Sequence, residues 1–281
     1  MLPYVEIAPL AIGPIALNPF GLMIAIACVV GWTLMMWRAR VLGVDVREMR
    51  ALWLTAIAFG FVFAHALDVV FYRPEEIARR PLSLLFVWDG LSSMGGFAGA
   101  LVGGVVWRYV TWKKRGVGSR VVLPAWRARP MPLLPVADVI VSTFPVAWIF
   151  GRIGCAIVHD HVGARVPEGT LLAVAFPGGA RYDLGLLELL FTIVLGGALA
   201  LTWRRRLAVG TYVVVVSLAY APVRFAMDAL RDREIDGADL RWGPGAGGLT
   251  FAQWACVALF VFGLAMIPRV FHAPRTRDTL R

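Results

Sequence analysis

Apolar residues in this chain fall in continuous runs, and the polar residues gather in short stretches between them. Seven runs reach the roughly 20 residues a helix needs to cross a bilayer. They lie near 18–37, 51–72, 92–112, 133–158, 182–203, 209–230 and 249–271. None alternates with a period of two, so they predict helices and not the strands of a membrane barrel. The pattern therefore predicts an all-α integral membrane protein, one polytopic domain over residues 1–281 with seven transmembrane helices. The stretches 159–181 and 231–248 are more than tight turns. They are expected to be outer loops, either solvated connections or covers over a site. No internal repeat is visible.

Charge sets the expected orientation. The stretches 38–50, 108–129, 204–206 and 269–281 carry 18 Lys and Arg, against 8 on the opposite side at 73–80, 165–181 and 231–241. By the positive-inside rule the N-terminus is outside and the C-terminus cytoplasmic. Residues 1–17 contain no Lys or Arg, so no basic leader precedes the first run, which is expected to stay as a span. Composition agrees: 281 residues are 59% hydrophobic and 16% charged. The net charge of +10 sits in loops between apolar runs, which fits a membrane face and argues against a nucleic-acid partner. The basic end from His272 to Arg281 is expected near anionic lipids. Cys28, Cys155 and Cys256 lie inside apolar runs at no disulfide or zinc-knuckle spacing and read as small hydrophobes.

Depth then sorts the polar residues. At 1.5 Å per residue, His65 and Asp68 lie about 10 Å or less from the outer end of the second run. The third run opens with Ser92, Ser93, Met94, Gly95 and Gly96, the fourth carries Arg152 near its outer end, and His159, Asp160 and His161 follow at once. Asp183 opens the fifth run, and Arg224 and Asp228 lie in the outer third of the sixth. Ionisable residues of five runs thus reach one level, with Asp138 and Glu188 set apart in the inner halves. An arginine at membrane depth costs roughly 2.5 kcal/mol or more and needs compensation. Arg224 has Asp228 four residues on, an internal pair by spacing. Arg152 has no partner expected at three or four residues, so its partner comes from another helix or from a ligand. A guanidinium favours a forked contact with carboxylate or phosphate, and two at headgroup depth point to a phospholipid phosphate. The histidines admit three readings: a general base with an orienting carboxylate, a zinc site at His65, Asp68, His159 and His161, or headgroup-level polar residues without chemistry. Asp138, 14 residues before Arg152, belongs near the cytoplasmic end with a structural role. Gly95, Gly96, Gly99, Gly103 and Gly104 are expected to permit close helix packing.

The ordered residues resemble the bacterial prolipoprotein diacylglyceryl transferase family, from Ile12 to about Ile267. The resemblance rests on Ile12-Gly13-Pro14-Ile15-Ala16-Leu17, Phe20-Gly21-Leu22-Met23, Asp68-Val69-Val70-Phe71-Tyr72 and Val87-Trp88-Asp89-Gly90-Leu91-Ser92-Ser93-Met94-Gly95-Gly96. It continues with Asp138, Gly151-Arg152-Ile153-Gly154, Arg224-Phe225, Asp228, Arg231 and Gln253. It implies a seven-span protein of the bacterial plasma membrane with its site towards the outer leaflet. The implied reaction moves a diacylglyceryl group from phosphatidylglycerol to the thiol of a lipobox cysteine in a preprolipoprotein. Glycerol phosphate leaves, and no cofactor is needed. By resemblance Arg152 and Arg224 hold the phospholipid headgroup. Asp228 and Asp160 stand where the family has glutamates, and Gly163 matches a family glycine.

Other positions depart from the family pattern. Met94 replaces a histidine, Phe20 a tyrosine and Cys155 an asparagine, while His65 lies where the second run's arginine is expected. The stretch Tyr182-Asp183-Leu184-Gly185-Leu186-Leu187-Glu188 replaces His-Pro-Ser-Gln-Leu-Tyr-Glu. The phosphate-binding half is kept and the proton-moving half is rearranged around His65, Asp68, His159, Asp160 and His161. Two further readings follow: a metal-dependent phospholipid hydrolase or headgroup transferase on the same scaffold, and a non-catalytic binder of anionic lipid.

Overall fold

Where apolar runs are long the backbone must satisfy its own hydrogen bonds, and each run is helical. The computed structural model describes residues 1–5, 7–12, 15–80, 82, 90, 92–114, 122–205, 207–232, 241–242 and 248–271. Its helices are α1 (Pro19–Leu42), α2 (Val46–Tyr72), α3 (Pro74–Arg79), α4 (Ser93–Tyr109), α5 (Leu133–Val158), α6 (Leu184–Thr202), α7 (Thr211–Ala229) and α8 (Phe251–Phe271). Six of them, α1, α2, α5, α6, α7 and α8, are long and apolar enough to cross a membrane. Exposed side chains on them agree: Val194 is 70% exposed and Leu201 83%, surfaces that suit lipid and not water. The pair Gly13-Pro14, residues 83–89 and 91, most of 231–248, and the basic tail lie outside the described residues.

Helix α4 is shorter than the run 92–112 predicts. Its 17 residues span about 25 Å, below a hydrocarbon core of roughly 30 Å. The chain leaves the helix at Val110, and Val110–Lys114 pairs antiparallel with Val122–Trp126. Val110, Thr111 and Trp112 are strand-favouring residues, which apolarity alone does not separate from helix.

The chain forms two compact units, Gly43–Val136 and Met1–Leu42 with Ala137–Arg281. In the first of these α2 and α4 meet through glycine. A Cβ at Gly95, Gly99 or Gly103 would fall 2.5, 2.3 or 2.8 Å from the carbonyl oxygens of Phe63, Phe59 and Thr55. The four-residue spacing puts these three on one helix face, where backbones approach closely. Gly96 and Gly104 lie off that seam, with nothing nearer than 3.9 and 4.0 Å. Gly99→Leu is expected to force α2 and α4 apart, costing about 3 kcal/mol or more. Gly104→Leu should cost far less, and thermal unfolding of the two variants in detergent checks the difference. Elsewhere in this unit Arg127 forks onto Glu48, with Nη1 3.0 Å from Oε1 and Nη2 2.6 Å from Oε2.

In the other unit Arg38 is not a loop cation. It lies inside α1, fully buried, with Nη1 donating to the Trp203 carbonyl at 2.5 Å and Nη2 to the Tyr212 hydroxyl at 2.8 Å. Asp138 has the structural role expected of it. Its carboxylate accepts from the backbone N–H of Gly210 (2.5 Å) and Val213 (3.0 Å) and so caps α7 from a neighbouring helix.

The stretch 159–181 is not a loose loop. Val162–Arg165, Ala173–Phe176 and Gly179–Asp183 form a sheet, joined in parallel by Leu2–Pro3. The hairpin turns at Pro177-Gly178, where Gly178 has φ 94°, the left-handed position a Pro-Gly turn requires. The sheet is fastened to the end of α7. The Ala164 N–H donates to the Leu230 carbonyl at 2.7 Å, and Arg181 pairs with Asp232 in the interior.

Candidate active site

Asp183 starts α6 by capping it, its Oδ1 accepting from the Leu186 N–H at 3.1 Å. Glu188 follows five residues on, about 8 Å along the helix axis. It therefore sits near the same end as Arg152, six residues from the end of α5, and not in the inner half where the sequence reading placed it. Arg152 Nη2 lies 2.8 Å from Glu188 Oε2. The Tyr220 hydroxyl donates to Glu188 Oε1 at 2.7 Å. Arg224, one turn beyond Tyr220 on α7, brings its Nε to 3.9 Å from Glu188 Oε2 and its Nη1 to 3.3 Å from Asp228 Oδ1. Glu188 is thus shared by two guanidinium groups. The expected pair of Arg224 and Asp228 forms, but it does not exhaust either residue.

Asp228 is held in turn. The Thr250 hydroxyl donates to Asp228 Oδ2 at 2.5 Å. Thr250 caps α8, with its Oγ1 accepting from the Gln253 N–H and its own N–H donating to Gln253 Oε1, both at 3.1 Å. This is a capping box, and the Thr-x-x-Gln spacing at the head of an apolar run was a usable signal for it. The site counts two arginines against two carboxylates. Glu188 and Asp228 are 3% and 2% exposed, so the four charges must balance among themselves.

Among the described residues neither guanidinium forks onto one carboxylate. Arg152 Nη1 lies 3.5 Å from the Cys155 sulfur, so a partner three residues on does exist, a thiol and not an ion. The Arg152 guanidinium also lies 4.9 Å from the Trp148 ring centroid, a cation–π contact. Its Nε is buried and meets no acceptor among the described residues. Two small residues allow this crowding. A Cβ at Gly154 would lie 3.1 Å from the Phe20 ring of α1, and one at Gly185 would lie 3.1 Å from the Cys155 Cβ.

The histidines divide. His159, at φ 50°, turns its Nδ1 to Asp183 Oδ2 at 2.6 Å and its Nε2 to the Val5 carbonyl at 3.3 Å, and it stacks on Tyr4. Its carboxylate is therefore Asp183 and not the adjacent Asp160, and it ties the N-terminal segment to the head of α6. His161 takes Asp160 instead, with Nδ1 2.5 Å from Oδ1. The ligand-bearing atoms of Cys155, Asp160 and His161 all lie within 4.8 Å of one another. Gly163 sits in the sheet, where a Cβ would meet the Tyr182 carbonyl at 2.8 Å and the Leu230 carbonyl at 3.1 Å, so close strand packing requires glycine there.

His65 and Asp68 belong to the unit Gly43–Val136. His65 is buried, and its Nδ1 lies 3.2 Å from the Gly90 carbonyl oxygen, which only accepts, so that nitrogen carries the proton. Asp68 binds Arg73, whose Nε and Nη2 lie 2.9 and 2.6 Å from Oδ2.

Helices α6 and α7 also leave an open apolar groove of about 440 Å³, lined by Leu187, Leu190, Pro222, Val223 and Met227, with Leu172 from the sheet connection. Leu187 precedes Glu188 and Val223 precedes Arg224, but successive helix residues point about 100° apart, and the groove lining includes none of the four charged residues.

Residues 8–269 match the family described as prolipoprotein diacylglyceryl transferase. Among curated relatives, a phosphatidylglycerol–prolipoprotein diacylglyceryl transferase of Nitratidesulfovibrio vulgaris is 29% identical over 282 residues, 96% of each chain. Proteins of the same name from Paramagnetospirillum magneticum and Azoarcus sp. are 27% and 28% identical. They align over 94% and 96% of this chain and 93% and 97% of their own.

Proposed function

This chain belongs to the prolipoprotein diacylglyceryl transferase family, and we propose that it transfers the diacylglyceryl group of phosphatidylglycerol to the thiol of a lipobox cysteine in a preprolipoprotein. The observation that carries this is the convergence of Arg152 and Arg224 on Glu188. A guanidinium has five N–H donors, and the contacts of Arg152 leave several of them for a phosphodiester. The headgroup phosphate sits against both arginines. The acyl chains run out into the surrounding lipid.

The charge that develops in the reaction falls on the departing glycerol phosphate, and donors fixed in advance stabilise it most in a dry site. Glu188, Tyr220, Asp228 and Thr250 position the arginines, so little reorganisation accompanies bond breaking. His161, held by Asp160 and close to Cys155, marks where the acceptor thiol loses its proton, because the thiolate is the attacking form. Gly163 contributes by having no side chain, which keeps the sheet close above this end of α7. In the cell the chain lies in the bacterial plasma membrane with seven spans, the short α4 crossing where the bilayer thins to meet it, the N-terminus and the site on the outer side and the basic loops inside.

Expression in a strain depleted of its own diacylglyceryl transferase tests this directly. Rescue of growth, with lipid attached to a reporter lipoprotein, is the expected result. Failure to rescue, joined with no transfer from phosphatidylglycerol to a lipobox peptide by purified protein, overturns the reading.

A further inference from the structure

We infer that Cys155, Asp160 and His161 form a zinc site that takes the acceptor cysteine as its fourth ligand; the acceptor's identity rests on the reading just given. Sulfur, imidazole and carboxylate together are a set that Zn²⁺ accepts, and three protein ligands leave the fourth tetrahedral position for a substrate. The three atoms already lie within 4.8 Å of one another. Tetrahedral zinc needs them about 3.3–3.8 Å apart, so His161 Nδ1 and Asp160 Oδ1, now 2.5 Å apart, open by roughly 1 Å around the ion. Cys155 is fixed on α5, whereas the Asp160 and His161 side chains follow the helix end and are 37% and 28% exposed, so the adjustment falls on the two that can turn.

The surrounding charges favour a dication there. Cys155 is in the last turn of α5, where unpaired carbonyls present partial negative charge. Arg152 is the opposing charge, 3.5 Å from the sulfur, and it is balanced by Glu188 at 2.8 Å. His159 is directed to Asp183 and leaves Asp160 to His161. The proton between His161 Nδ1 and Asp160 Oδ1 is the one an ion displaces.

Zinc would supply what the thiol chemistry lacks, since a coordinated thiol is deprotonated outright. The acceptor S–H loses its proton to water as the sulfur binds. The sulfur then forms a bond to the glycerol carbon, the carbon–oxygen bond breaks, and its electron pair leaves with glycerol phosphate. No electron is gained or lost overall. Arg152 reaches both the zinc ligand and the phosphate, which places nucleophile and leaving group on either side of one residue.

The test uses full-length protein in detergent, stripped with chelator and titrated with Co²⁺, then with Zn²⁺ as competitor. One cobalt per chain with a thiolate charge-transfer band is expected, displaced by zinc and intensified when a lipobox peptide adds a second sulfur. Cys155→Ser should abolish the band and weaken cobalt binding roughly hundredfold, with His161→Ala and Asp160→Asn weakening it roughly tenfold or more. Cys28→Ser should leave it unchanged. Chelation should lower transfer roughly tenfold or more, with Zn²⁺ and not Mg²⁺ restoring it. A band that survives in Cys155→Ser, or no band, overturns the site; if Cys155→Ser does not fold, the His161 and Asp160 variants decide. A band indifferent to the peptide, or transfer indifferent to chelation, overturns its role with the acceptor and leaves the transferase reading intact. Absence of transfer at every metal loading sinks that reading instead, and the cobalt titration with peptide still decides the site.

Discussion

Arg152→Ala is expected to lower diacylglyceryl transfer about a thousandfold, the upper range for losing a fixed donor to a developing oxyanion. The effect is this large because the charge it answers develops in a buried setting, where Arg152 itself is 7% exposed. The loss should appear in kcat as well as kcat/KM, because the contact strengthens as the phosphate departs. Arg152→Lys keeps the charge but not the planar fork, and is expected to recover only part of the rate. Both variants are measured with phosphatidylglycerol and a lipobox peptide, alongside thermal unfolding to separate chemistry from folding. Transfer by Arg152→Ala near the wild-type rate would remove the phosphate-holding role.

Glu188→Ala is expected to act on the fold before it acts on the reaction. Glu188 receives Arg152 at 2.8 Å, the Tyr220 hydroxyl at 2.7 Å and the looser approach of Arg224 at 3.9 Å. Without it two guanidinium groups face one another in a buried place, with Asp228 alone to offset them. Breaking a buried pair by removing one partner costs about 3–5 kcal/mol. Thermal unfolding should therefore start at a clearly lower temperature in Glu188→Ala. Glu188→Gln, which still accepts from Tyr220, should fall between. Adding Arg152→Met to Glu188→Ala is expected to restore stability without restoring transfer, because the second change removes the stranded charge along with the phosphate contact. An unchanged unfolding temperature in Glu188→Ala would mean that the network does not carry the balance described for it.

Much of the site was visible in one dimension. The apolar run 133–158 coincides with α5, because a helix in lipid has no other way to satisfy its backbone. Spacing alone paired Arg224 with Asp228, which are neighbours on any helix. Gly95, Gly99 and Gly103 carried their seam in a four-residue period, although spacing could not separate them from Gly96 and Gly104. The cost of an uncompensated arginine marked Arg152 before any partner was known.

The partners themselves were not legible, because they come from different helices. Nothing local says that Glu188 lies between Arg152 and Arg224, or that Thr250 at the head of α8 completes Asp228. Adjacency misled at His159-Asp160-His161, since the backbone at His159 turns to φ 50° and sends neighbouring rings to different carboxylates. The sheet over 162–183 escaped notice because its strands are short and its pairing with Leu2–Pro3 is distant in sequence. Helical position and depth follow from the backbone's need for hydrogen bonds and from the cost of burying charge, both properties of a single segment. Which guanidinium meets which carboxylate depends on how separate segments pack, and that is a property of the folded chain.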